Sequence, residues 1–195
     1  MRNATRPVFR KVLIELVPSR IDGVGVRAVV ELSPDQRIAD GIEESDFHKL
    51  ISWVHLGKYA EAVRAKIDAF CIGTSDGFIP PEALDFNKLS VEWYLNHACD
   101  GNVGFNDKGD FVARREIAKG EELTYDYALA ESNPRFRMNC KCGAPNCRKV
   151  VTGNDWRDPA FRQENLEYML PRLRTAADVV AAPPVRPRRV AGRRR

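Results

Sequence analysis

The clearest chemical signal is three cysteines near the end of the chain, Cys140, Cys142 and Cys147, in the stretch C-K-C-G-A-P-N-C. Thiolates at this spacing, with Gly143 and Pro145 inside the turn, make a knuckle suited to a metal. Zinc takes four ligands in a tetrahedron, so a fourth must come from elsewhere. Two cysteines remain. Cys71 lies in the apolar run A-F-C-I, where a buried structural thiol is the default, and Cys99 lies in the loop-like segment N-H-A-C-D-G-N. Cys99 is the favoured partner, which gives one zinc per chain on Cys99, Cys140, Cys142 and Cys147. The alternative is a set of free cysteines in a turn, or a redox knuckle.

Three other segments have chemical potential. G-V-G-V-R-A, Gly23 to Ala28, places two glycines one residue apart, where a backbone can turn sharply and approach a ligand. Alone it reads as a hairpin, and without a following helix it is no dinucleotide fingerprint. Asn96-His97 on its own reads as a loop cap and a surface histidine. Two residues before a metal ligand, it reads as rigidly held. His48 and His55 read as structural or solvent-facing. In G-E-E-L-T-Y-D-Y, Gly120 to Tyr127, a period of two sets Tyr125 and Tyr127 on one face of a strand. They are either core aromatics or the oriented oxygens of a pocket.

The elements that must position these residues are mostly short strands. Strands are predicted at Val12 to Val17, Val26 to Val30 and Arg37 to Ile42, with turns at Asp22 to Gly25 and Leu32 to Gln36. Phe47, Leu50, Ile51 and Val54 recur at helical spacing, predicting a helix over Ser45 to Val54, with a second helical stretch over Lys58 to Ile67. Strands return at Phe70 to Ile72, Phe78 to Ile79, Val103 to Phe105, Phe111 to Ala113 and Leu123 to Tyr127, with a hairpin turn at Asp107-Lys108-Gly109. A last helix is predicted over Asp158 to Leu173, and Trp156 before it reads as packing or as a cover for the site.

With 195 residues, the chain suits one domain with a real core and small appendages. The formal charge is +4, but Arg186 to Arg195 hold six arginines, and without them it becomes −2. The basicity therefore belongs to the tail, and a basic nucleic-acid-binding face on the folded part is not supported. The Pro- and Arg-rich composition after Ala176 reads as disordered, with salt-dependent contact to nucleic acid as its functional alternative. No segment approaches 18 apolar residues and no secretory signal precedes Val12. The expectation is a soluble intracellular protein, cytoplasmic or nuclear, without membrane contact.

Taken in order, the four motifs resemble those of the SET-domain protein-lysine methyltransferases, over roughly Leu13 to Arg148. G-V-G-V-R-A matches the family's first glycine motif, N-H-A-C-D-G-N its N-H-S-C-x-P-N motif, G-E-E-L-T-Y-D-Y its late motif, and C-K-C-x4-C its post-SET zinc knuckle. Ala98 and Gly101 replace the usual serine and proline, and Trp93 stands where many members have arginine. An upstream active-site tyrosine has no match; Phe70 or Phe78 lies near its place.

The resemblance implies a mostly β fold with an α insert: small curved β-sheets, a pseudoknot-like threading of the late segment under a preceding loop, and a C-terminal zinc knuckle. Residues 1–10 would be an N-terminal extension, 11–130 the SET domain with its insert at about 45–67, 136–152 the knuckle, 153–175 a C-terminal helix and 176–195 the tail. It implies S-adenosylmethionine as methyl donor, held by Asp22, Gly23, Val24, Gly25, Asn96, His97 and Tyr127. Tyr127 would be the principal catalytic residue and Tyr125 would limit how many methyl groups fit. The substrate would be a lysine on a histone-like or other basic protein. A SET-like interaction module without catalysis, or a nucleic-acid-associated protein acting through its tail, are the rival readings.

Overall fold

The computed structural model describes residues 12–42, 44–81 and 85–176, so the predicted N-terminal extension and arginine-rich tail lie outside the described residues, as does the side chain of Phe47. The first hairpin joins β1 (Ile14–Pro18) to β2 (Val24–Ala28), with Pro18 opposite Val24. The Ser19 amide closes its turn on the Gly23 carbonyl at 3.0 Å, and Gly23 takes a φ of 44°, a left-handed conformation that favours glycine. β3 (Arg37–Ala39) is shorter than the stretch expected at 37–42, because a bulge interrupts its register and Ile42 then bonds to the Gly109 carbonyl of a loop.

The helix expected over Ser45 to Val54 does not form. A 3-10 helix spans Glu44–Lys49, followed by β4 (Ile51–Ser52) and the single turn α1 (Trp53–Leu56). The second helical stretch does form, as α2 (Glu61–Phe70). β5 (Ile72–Gly73) and β6 (Gly77–Ile79) complete a small sheet in the order β4-β6-β5, with Ile51 opposite Phe78. Strand pairing to Phe78 buries Ile51 and overrides the helical period, leaving Val54 79% exposed. This insert has its own small core of Ile67, Cys71 and Phe78, packed by Trp53 and Phe86.

The larger sheet gathers β7 (Asn96–His97), β8 (Val103–Phe105), β9 (Phe111–Ala113) and β10 (Glu122–Tyr125), in the order β1-β2-β10-β8-β9-β3 with β7 also on β10. The Asp107-Gly109 turn joins β8 to β9 as expected. β10 pairs with β2 through Glu122 and Leu123, then runs parallel to two earlier segments at once: Tyr125 lies opposite both His97 and Val103. The late strand thus passes between β7 and β8. Two residues of the intervening loop make room for it. A Cβ at Gly101 would lie 2.7 Å from the Tyr125 Cα, so no side chain fits there. The Asn102 amide replaces missing strand partners, donating to the Glu122 carbonyl and accepting from the Thr124 amide, each at 3.0 Å. Phe105, Leu123, Leu129, Met169 and Leu170 fill the core beneath.

β11 (Arg137–Asn139) and β12 (Val150–Thr152) form a ribbon that carries the cysteine knuckle at its tip. The final helix expected over Asp158 to Leu173 is broken into α3 (Pro159–Asn165), a 3-10 turn at Leu166–Tyr168 and α4 (Pro171–Arg174). Asp158 caps α3 by accepting from the Phe161 amide, and Pro171 cannot continue a helix but can begin one. Among the described residues no helix is long and apolar enough to cross a membrane.

Candidate active site and metal centre

The threaded strand brings the four sequence motifs together. Asn96, on β7, donates through its side-chain amide to the carbonyls of Asp22 (3.1 Å) and Val24 (3.0 Å), tying the first hairpin turn to the N-H-A-C segment 72–74 residues away. Gly25 lies against this tie, where an added Cβ would meet the Asn96 amide at 3.2 Å and the Glu122 carboxylate more closely still. His97 is not a surface residue: it is 3% exposed. Its Nδ1 accepts from the Tyr127 amide at 3.1 Å, which leaves Nε2 to carry the proton, 3.3 Å from the Cys99 sulfur. Burial lowers its pKa to about 4, so the ring is neutral at pH 7.

Tyr125 and Tyr127 stand together, ring centres 4.9 Å apart, although the strand ends at Tyr125 and Tyr127 begins a 3-10 turn at Tyr127–Leu129. Asp126 caps that turn by accepting from the Ala128 amide. Tyr125 packs edge-on to Phe105 and Phe111, and its hydroxyl has no hydrogen-bond partner among the described residues. The Tyr127 hydroxyl donates to the Leu95 carbonyl at 3.2 Å. Burial pushes the Tyr127 phenol up to about 12 and raises the Tyr125 phenol well above its ordinary value, so both stay protonated.

Both rings line a narrow cavity of about 70 Å³, walled by Phe70, Trp93, Leu95 and Phe136. Of the two phenylalanines considered upstream, Phe70 lines this cavity and Phe78 sits in the core of the insert. Trp156 is buried in the main core, stacked by Arg157 and Arg162, and takes no part in the cavity wall. His48 and His55 are exposed, apart from the site.

The sulfurs of Cys99, Cys140, Cys142 and Cys147 all lie within 4.8 Å of one another, with Cys99 and Cys140 at 3.9 Å. Zinc–sulfur bonds of ~2.3 Å in a tetrahedron set the sulfurs ~3.8 Å apart, so the donor set fits a zinc ion. Backbone amides of Arg148 and Lys149 point at Cys99 and Cys147, each at 3.4 Å, and favour thiolate ligands. Cys71 is buried at the end of α2, its thiol pushed up to about 12 by burial and by Asp68, and it is not part of the cluster.

Two residues that sequence reasoning missed join the knuckle to the tyrosines. Asp126 is 1% exposed and accepts both terminal nitrogens of Arg148, at 2.5 and 2.7 Å, while the Arg148 Nε reaches Asp155 at 3.0 Å. Burial weakens the Arg148 charge, but the bonds and charge of Asp126 outweigh it, and its pKa rises. The signal was an acid between two tyrosines and a base directly after the last cysteine. A second, exposed tie runs from Lys141 to Asp22 at 3.3 Å, across the first hairpin turn.

Threading, cavity and knuckle together define a class of protein, and comparison places the chain in it. A family model for the SET domain matches residues 23–128, and the chain belongs to that family. It is 37% identical over 147 residues, 69% of its length, to histone-lysine N-methyltransferase ash1 of Drosophila melanogaster. It is 29% identical over 164 residues to the H3 lysine-36 specific enzyme of Candida albicans, covering 76% of this chain and 18% of that protein. Over 69 residues, 31% of this chain and 6% of the relative, it is 43% identical to the H3 lysine-4 specific enzyme of Saccharomyces cerevisiae. The chain spans only 6% of the Drosophila relative's length.

Proposed function

We propose that the protein transfers a methyl group from S-adenosylmethionine to the ε-amine of a lysine in a protein substrate, and that one structural zinc ion, on Cys99, Cys140, Cys142 and Cys147, holds the knuckle against the site. The observation that carries this reading is the narrow aromatic cavity closed by Tyr125 and Tyr127 directly beside the Asn96–His97 segment. The relatives named above are histone-lysine methyltransferases, but two of them act on different histone lysines, so the target lysine is not carried over.

The methyl donor, when bound, supplies a methyl group already activated by its sulfonium, so the chain needs no nucleophilic side chain. The hairpin backbone at Asp22 to Gly25, with Asn96 and His97, would hold the donor, and their fit rests on the tie that Asn96 makes to the Asp22 and Val24 carbonyls. The cavity has two tasks. It aligns the amine for in-line attack, and orientation of that kind is worth up to about 7–11 kcal/mol. It also favours the neutral amine. An ordinary lysine has a pKa of ~10.4, so deprotonation at pH 7 costs about 4–5 kcal/mol, and desolvation between the aromatic side chains of the cavity reduces that cost by penalising the ammonium. In this reading the protonated Tyr127 hydroxyl would orient the amine lone pair, and Tyr125 would limit the space for methyl groups already added.

The test is incubation with labelled S-adenosylmethionine and a proteome lysate, followed by mapping of modified lysines. Label on lysines that disappears with Tyr127→Phe is expected. Equal labelling by wild type and Tyr127→Phe would remove Tyr127 from its role, and no labelling by wild type would favour the interaction-module reading.

A further inference from the structure

The cavity has an ionisable wall that the mechanism above leaves unused. Three acids line it, Asp68, Glu92 and Glu131, and Glu131 alone of these is buried, at 8% exposure. It follows the Tyr127–Leu129 turn and reaches back to β5. One carboxylate oxygen accepts from the Gly73 amide at 2.9 Å and the other from the Asn133 amide at 2.7 Å. A carboxylate has about four acceptor sites, so two remain after these bonds. Among the described residues no ion pair joins it to a cation; the Arg172 guanidinium, bonded to the Ala130 carbonyl and the Ser132 hydroxyl on either side, adds positive charge nearby. A buried carboxylate without a paired cation is costly to keep, and this one lines the cavity that the tyrosines also line.

We propose that Glu131 is the group that meets the ammonium of the incoming lysine and accepts its proton, a role that rests on the lysine-methyl-transfer reading above. One N–H bond of the ammonium breaks and leaves its electron pair on nitrogen, while an O–H bond forms on the Glu131 carboxylate. The pair of opposite charges becomes a neutral acid and a neutral amine, an exchange that a water-poor cavity favours. The amine lone pair then displaces sulfur from the methyl group, and the proton leaves Glu131 for solvent once the product has gone.

The groups facing Glu131 do not compete for the proton. Tyr125, Tyr127 and the Cys71 thiol are all held protonated by burial through the neutral range. Asp68 and Glu92 are more exposed than Glu131, and Arg172 contributes a positive charge that its bonds to Ala130 and Ser132 hold in place. Burial itself raises the Glu131 pKa, which narrows its gap to the amine.

The experiment is the pH profile of kcat/KM for wild type and Glu131→Gln, with a lysine peptide and with the same peptide carrying aminoethylcysteine, a less basic amine. A deficit of about 10²-fold near pH 7 is expected for Glu131→Gln on lysine. It should narrow as pH rises and should be smaller on aminoethylcysteine. A deficit independent of pH and of amine, or no deficit, overturns the role and leaves Glu131 as a tether between Gly73 and Asn133. Should the variant fail to fold, calorimetry on wild type decides. Lysine peptide is titrated into the protein with S-adenosylhomocysteine, in two buffers of different ionisation enthalpy. Binding without net proton release is expected, and release of close to one proton per peptide overturns the proposal. Wild type that methylates no lysine removes the underlying reading and this role together, whereas active wild type with an unshifted profile in the variant removes this role alone.

Discussion

Replacement of Arg148 by alanine tests how the knuckle is joined to the tyrosine turn. Asp126 is almost wholly buried and carries its charge between Tyr125 and Tyr127, with two bonds from Arg148 and one from the Ala128 amide. Removing the guanidinium strands that charge, and breaking a buried pair from one side costs about 3–5 kcal/mol. Arg148 itself is 27% exposed, so water can reach part of the vacated space, and the Ala128 amide stays. The lower end, about 3 kcal/mol, is therefore expected, equivalent to a fall in Tm of about 6–12 °C for a chain of this size. Arg148→Lys should recover only part, since an ammonium cannot make the paired contact. Asp126→Asn added to Arg148→Ala should recover much of the loss, because no stranded charge remains. Thermal melts followed by circular dichroism with zinc present measure all three. A fall of less than about 2 °C for Arg148→Ala would show that Asp126 does not depend on Arg148 and would refute the reasoning.

Three other outcomes are expected. Tyr125→Phe removes a hydroxyl with no partner among the described residues and widens the cavity, so melting should change little while mass spectrometry shows a shift toward higher methylation states; an unchanged product distribution counts against the assignment. Cys99→Ser should lower bound zinc well below one ion per chain by metal analysis, and chelation of wild type should abolish methyl transfer before the domain melts; zinc content equal to wild type would exclude Cys99 as a ligand. Gly101→Ala puts a methyl group 2.7 Å from the Tyr125 Cα and should cost about 1–3 kcal/mol in a denaturant titration, with wild-type stability contradicting the close passage of β10.

Much of the site was legible because its residues are fixed by chemistry. Three closely spaced thiols call for a fourth, and the loop-like setting of Cys99 against the apolar setting of Cys71 pointed to the thiol that the fold brings to the cluster. The strands around Ile14, Val26, Val103, Phe111 and Leu123 were legible because buried β-branched and aromatic runs between turns have few other uses. The insert was not. Leu50, Ile51 and Val54 recur at helical spacing, but Ile51 is needed opposite Phe78, and pairing at a distance of 27 residues leaves no local trace. The closing helix failed for a local reason, visible in Pro171 yet outweighed by the apolar spacing around it. Nor could sequence alone pair Asp126 with Arg148 or aim Glu131 at the cavity, since each is one charge among 58 acidic and basic residues.

The passage of β10 between β7 and β8 has a consequence for biosynthesis. Both flanking segments precede Tyr125 in the chain, so they leave the ribosome first, with no strand between them. Domains are made at about 5–20 residues per second, and the loop from Asn96 to Val103 must stay open for a few seconds until Glu122 to Tyr125 emerges. Phe136 and the last three cysteines follow later still. A nascent chain therefore cannot hold a closed cavity, and a truncated product ending before Phe136 would lack a wall of it. Premature termination before Phe136 therefore leaves the cavity open, so any chain with the whole cavity wall has already been translated past β10.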